Sequence, residues 1–124
     1  MKSTTQVALK PNQWNWAEVS SENLGDGISR QMIVGENLMV CRLTISPNVI
    51  TAAHDHSHEQ ITLVEKGTVR FIVGDDEFVA TAGDILFFPS GCWHGATILE
   101  KEVVLIDIFT PIREDFLSQS NSTD

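Results

Sequence analysis

The chain has 124 residues, is 42% apolar, and carries a formal charge of −9 from 17 acidic against 8 basic side chains. Such a length suits one domain around one core, expected over residues 1–124, and the acidic balance without any Lys/Arg cluster speaks against nucleic acid as a partner. No stretch nears the roughly 18 apolar residues of a membrane span, and MKSTTQVALK has no apolar signal-like region, so a cytoplasmic protein off the membrane is expected.

In chain order, the first 25 residues are mixed in polarity. Trp14 and Trp16, two apart, are expected on one face of an extended strand, over a barrel end or an interface. After Gly25-Asp26-Gly27 the chain becomes short apolar runs divided by turn residues, the pattern of an all-β sandwich or barrel. Eight strands are expected, over Gln31 to Val34, Leu38 to Ser46, Gln60 to Glu65, Thr68 to Val73, Glu77 to Thr81, Ile85 to Phe88, Trp93 to Leu99 and Glu102 to Phe109. The barrel they form spans about residues 28–110. The turns between them are rich in Gly, Pro, Asn and Asp, which supply positive or fixed φ. Past Pro111, acidic residues near a first turn predict one short helix over Arg113 to Leu117. Ser118 to Asp124 is too polar to pack and is expected to fray.

Cys41 and Cys92 lie 51 positions apart with no metal-type spacing, so reduced, buried thiols are expected. All four histidines fall in two places: His54-Asp55-His56-Ser57-His58-Glu59-Gln60 at the start of one strand, and His94 at the start of another. In extended backbone His54, His56, His58 and Gln60 share a face and Glu59 takes the other. Three neighbouring donors and one distant one are the makings of a preformed metal site.

The spacing His54-x-His56-x3-Gln60, then Gly67, then Gly83-x5-Pro89-x-Gly91-x2-His94 resembles the two-part signature of the cupins. That resemblance implies a double-stranded β-helix, a jelly-roll barrel, holding one divalent transition metal on His54, His56, Gln60 and His94. Three positions depart from the pattern: Gln60 where most cupins have glutamate, Ile98 where asparagine is common, and Asn48 at a turn glycine. Imidazole and amide donors do not choose among Zn, Ni, Mn, Fe and Co. A neutral amide leaves the ion its full charge, which gives this acidic chain a local attraction for a small anion.

Asp107 stands within the apolar run VVLIDIFTPIREDFL, with Phe109 on its face and Arg113 beyond Pro111. It reads as a general acid/base facing the metal, with an ion pair to Arg113 or another arginine as the structural alternative. Arg30, Arg42 and Arg70 lie in or near strands, where an outward position is equally open to them.

The segments HDHSHEQITLVEKG, GDILFFPSGCWHG and LIDIFTPIREDFL, with Trp16 and the stretch around Leu24 to Arg30, are similar to KdgF-type cupins over residues 14–117. What that resemblance implies is metal-dependent linearisation of a cyclic 4,5-unsaturated monouronate to its open-chain keto form, without redox or organic cofactor. Asp107 would move the proton, Arg113 would pair with the sugar carboxylate, and Phe109 would form an apolar wall. Small cupins commonly pair, so a homodimer acting on a small anionic sugar is expected. An iron-dependent dioxygenase and a non-catalytic sugar- or metal-binding module are the competing readings.

Overall fold

The computed structural model describes residues 6–51 and 57–121. The strands are β2 (Ile28–Val34), β3 (Met39–Ile45), β4 (Glu59–Lys66), β5 (Thr68–Val73), β6 (Asp76–Thr81), β7 (Ile85–Phe88), β8 (His94–Ile98) and β9 (Val103–Thr110), preceded by the short β1 (Glu22–Gly25), with period-two alternation clearest in β2 and β4. They form a six-stranded antiparallel sheet ordered β1-β2-β3-β9-β4-β7 and a three-stranded one ordered β6-β5-β8. This is the all-β jelly roll expected. Among the described residues the two sheets face each other without a continuous hydrogen-bonded seam, so the barrel is closed by packing.

Three elements differ from expectation. Strand β1 was missed: Asp26 (φ 54°) and Gly27 (φ 81°) make a two-residue hairpin turn with both centres at positive φ, the geometry for which Asp-Gly is suited. Trp16 does not continue an extended strand. Asn15 caps a 3₁₀ turn over Trp16–Glu18, its side chain accepting from the Ala17 N–H, and this local bond outcompetes extension. The Gln31 side chain donates to the Trp16 and Val19 carbonyls and ties the turn to β2. The C-terminal helix α1 (Glu114–Asn121) is longer than expected and takes in residues 118–121 of the stretch expected to fray.

The alternation packs two apolar clusters. One, between the sheets, gathers Ile45, Val64, Val69, Phe71, Phe88, Ile98, Val103 and Leu105. The other gathers Met32, Val34, Met39, Cys41 and Phe109, and is capped by Ile112, Phe116 and Leu117 at the end of the chain. Asn48 adopts φ 66°, so it replaces a turn glycine without losing the turn.

Gly67 joins β4 to β5 at φ 87°, and a Cβ there would lie 2.6 Å from the Glu102 carbonyl oxygen. A Gly67→Ala chain is therefore expected to lose more than about 1 kcal/mol of stability in chemical denaturation. An unchanged midpoint would refute this assignment of the turn.

Candidate functional site

The residues at issue come from the inward faces of β4, β8 and β9. On β9, Val103, Leu105, Asp107 and Phe109 point inward, and on β4, Gln60, Thr62 and Val64 do so. Register sets Asp107 between Cys41 of β3 and Thr62 of β4, and sets Gln60 between Phe109 and Phe88. A polar strip thus crosses an apolar sheet. It floors a cavity of about 150 Å³ lined by Gln60, Thr62, His94, Asp107, Phe109 and Arg113, among others. A larger concavity of about 790 Å³ lies elsewhere, against the exposed Ile50, Arg70 and Lys101. The smaller one holds the buried polar groups, and buried polar groups without purpose are costly.

Each of those groups is hydrogen-bonded. Thr62 is fully buried and its hydroxyl donates to Asp107 Oδ1 at 2.7 Å. With its one proton used there, Thr62 Oγ1 accepts from Gln60 Nε2 at 2.8 Å. That chain directs the amide nitrogen of Gln60 toward Thr62 and turns Oε1, the end with lone pairs for a cation, to the other side.

His94 is 6% exposed, and its ring stacks on Phe88 with centroids 4.5 Å apart and planes 14° off parallel. His94 Nδ1 lies 3.0 Å from the Cys92 carbonyl oxygen. A carbonyl only accepts, so Nδ1 carries the proton, and the neutral form of the ring has its lone pair on Nε2. A metal-ligating histidine is usually held through its other nitrogen in this way. The donor chemistry of Gln60 and His94 thus fits a divalent ion.

His54 and His56 lie outside the described residues. Among the described residues no three His, Cys, Asp or Glu side chains cluster as a metal site. His58 does not share the Gln60 face: β4 begins only at Glu59, and the half-buried His58 lines a separate groove with Pro111, Glu114 and Asp115. Glu59 is exposed, as strand parity requires.

Residues 41–109, more than half of the chain, match the family model described as a cupin domain. The chain belongs to the cupin family. It is 34% identical over 102 residues to the pectin degradation protein KdgF of Dickeya dadantii (strain 3937), covering 81% of this chain and 93% of that protein. Among solved structures it is similar to an RmlC-like cupin from Shewanella frigidimarina, with TM-score 0.81 and 31% identity over 86% of this chain and 96% of the other. KdgF from Halomonas sp. aligns with TM-score 0.80 and 25% identity, over 85% and 99% of the two chains.

In this cupin Arg113 is not the partner of Asp107. It forms a two-pronged ion pair with Asp115, Nε to Oδ1 at 3.0 Å and Nη2 to Oδ2 at 2.6 Å, while its guanidinium lies 4.1 Å over the Phe116 ring and 5.3 Å over Phe109. The hydrogen bond from Arg113 holds the Asp115 carboxyl below its usual range. Arg113 is thereby aligned along the cavity wall with Nη1 on the edge that Asp115 does not take. Phe109 meets Phe116 edge-on at 5.6 Å, and both rings line the cavity.

Arg30 is the residue that sequence reasoning left aside. It is 2% exposed, lies 4.6 Å over Phe116 and pairs with Glu22 at 3.6 Å. Its alternation with Met32 and Val34 already marks it as inward. Phe116 is thus held between two guanidinium groups and pins α1 over the cavity. Arg42 points outward to Glu65, and Arg70 to Glu77.

Cys41 and Cys92 are both free thiols, the first buried. Burial, then the facing Asp107 charge, push the Cys41 thiol up to about 12. No helix among the described residues is long and apolar enough to cross a membrane.

Proposed function

We propose that this cupin is a metal-dependent lineariser of 4,5-unsaturated monouronates released in pectin or alginate breakdown. The observation that carries the reading is a buried carboxylate, Asp107, in one small cavity with Gln60, His94 and the guanidinium of Arg113. The 34% identity to a pectin degradation protein supports it. At about 150 Å³ the cavity is on the scale of one small ligand.

The reaction is an isomerisation. The bond between the ring oxygen and the anomeric carbon breaks as the anomeric hydroxyl loses its proton and becomes the carbonyl, leaving the ring oxygen as an enolate at C5, and a proton arriving at C4 turns that enolate into the ketone. Nothing is oxidised or reduced, so one proton carrier and charge stabilisation suffice.

His54, His56, Gln60 and His94 would hold the ion, with His94 Nε2 and Gln60 Oε1 as the donor atoms on the strands. When bound, a divalent ion supplies positive charge that polarises substrate oxygens. Arg113 pairs with the sugar carboxylate through its remaining edge, and Asp115 keeps the guanidinium from rotating away. Phe109 and Phe116 exclude water along one wall. Asp107 takes up and returns the proton, with Thr62 steadying its second position as an acceptor.

The test is to incubate the purified, metal-loaded chain with lyase-derived unsaturated monouronate and follow the absorbance of the conjugated double bond. Loss of absorbance well above the buffer rate is expected. A rate equal to buffer would end the reading.

A further inference from the structure

We infer that Thr62 is the positioning residue of the metal centre: its hydroxyl, donating to Asp107 and accepting from Gln60, dictates which end of the Gln60 amide is presented to the ion. The inference rests on the reading of Gln60 and His94 as metal ligands.

The physical problem is peculiar to glutamine at this position. A carboxylate offers an oxygen from either side of its plane, whereas an amide offers an oxygen from one side and an N–H group from the other. An amide turned the wrong way presents hydrogens to a cation. Which way the Gln60 amide faces therefore decides what a cation meets at this position.

Thr62 sets that facing through a directional relay. Its hydroxyl has one proton, and Asp107 Oδ1, 2.7 Å away, takes it. Oγ1 is then an acceptor toward Gln60, and only Nε2 can satisfy it, at 2.8 Å. Reversing the amide would set Oε1 against Oγ1, two acceptors without a proton between them. Thr62 is 0% exposed, so no solvent competes for this bond. The relay also joins the ligand to the acid/base group, because Asp107 dictates the direction of the hydroxyl and the hydroxyl dictates the amide.

The experiment measures cobalt(II) affinity by competition with a chromophoric chelator, together with the visible spectrum of the cobalt-loaded chain, for wild type, Thr62→Val, Thr62→Ser, Gln60→Glu and the Gln60→Glu/Thr62→Val double variant. Outer hydrogen-bond partners of metal ligands contribute about 10- to 100-fold to affinity. Thr62→Val is expected to weaken cobalt(II) binding by about that factor and to change the spectrum. Thr62→Ser restores both, since serine keeps the hydroxyl. In the Gln60→Glu background, where the ligand has no wrong end, the valine substitution is expected to change affinity less than about threefold.

An equal loss in the glutamine and glutamate backgrounds would overturn the inference, because the threonine would then act through packing or through Asp107 alone. Unaltered affinity in Thr62→Val would overturn it outright. Should the valine chain fail to fold, Thr62→Ala against Thr62→Ser in both backgrounds reads the same difference. If the wild-type chain binds no cobalt(II), it is the ligand reading itself that fails; if it binds and the variants match it, only the role of Thr62 falls.

Discussion

Conversion of Asp107 to asparagine is expected to lower turnover of the unsaturated uronate by about 10² to 10⁴, the range a positioned proton carrier contributes, with metal content unchanged. Asparagine is the informative replacement. Its side-chain oxygen can still accept from Thr62, which keeps the relay to Gln60, while the group that takes up and returns a proton is gone. Elemental analysis beside the absorbance assay separates the outcomes. Full metal with lost turnover assigns Asp107 to the chemistry, and lost metal with lost turnover would make it a structural member of the centre.

Removal of the His94 imidazole, as His94→Ala, is expected to weaken metal binding by more than about 100-fold, beyond what loss of an outer hydrogen-bond partner costs. The ring is held twice, by its Nδ1 bond to the Cys92 carbonyl and by its stack on Phe88, so its Nε2 is already aimed before any ion arrives. Alanine removes the donor and leaves a hole beside Phe88 as well. A melting curve of the metal-free variant reports the packing loss separately from the chelation loss. Retention of wild-type metal content after dialysis would remove His94 from the ligand set.

Much of the sheet was legible because inward and outward residues alternate with a period of two, and the Gly, Pro and Asp punctuation fell where the chain turns. Sequence reading missed what depends on local side-chain bonds. Asn15 diverted the tryptophan segment into a 3₁₀ turn, and Asp26-Gly27 built a hairpin whose first strand, Glu22–Gly25, has little apolar content.

At the site, Asp107 stood out as a carboxylate in an apolar strand, but its partner did not. Thr62 is 45 positions away and meets Asp107 only through the register of β4 on β9. Arg113 found its partner at Asp115, two residues on, rather than across the cavity. His58 fell off the expected face because extended backbone starts one residue after it. The inward place of Arg30 follows from strand parity with Met32 and Val34, against the usual solvation of long cations.

The buried thiol of Cys41 has a consequence for the durability of the cavity floor. With burial holding its pKa up near 12, the thiol stays protonated at neutral pH and is not the reactive thiolate. Peroxide and soft heavy ions such as cadmium or mercury attack the thiolate, not the thiol. Burial first, and the facing carboxylate second, thus passivate the sulfur on the neighbouring strand, and among the described residues the cavity itself is lined without a thiol.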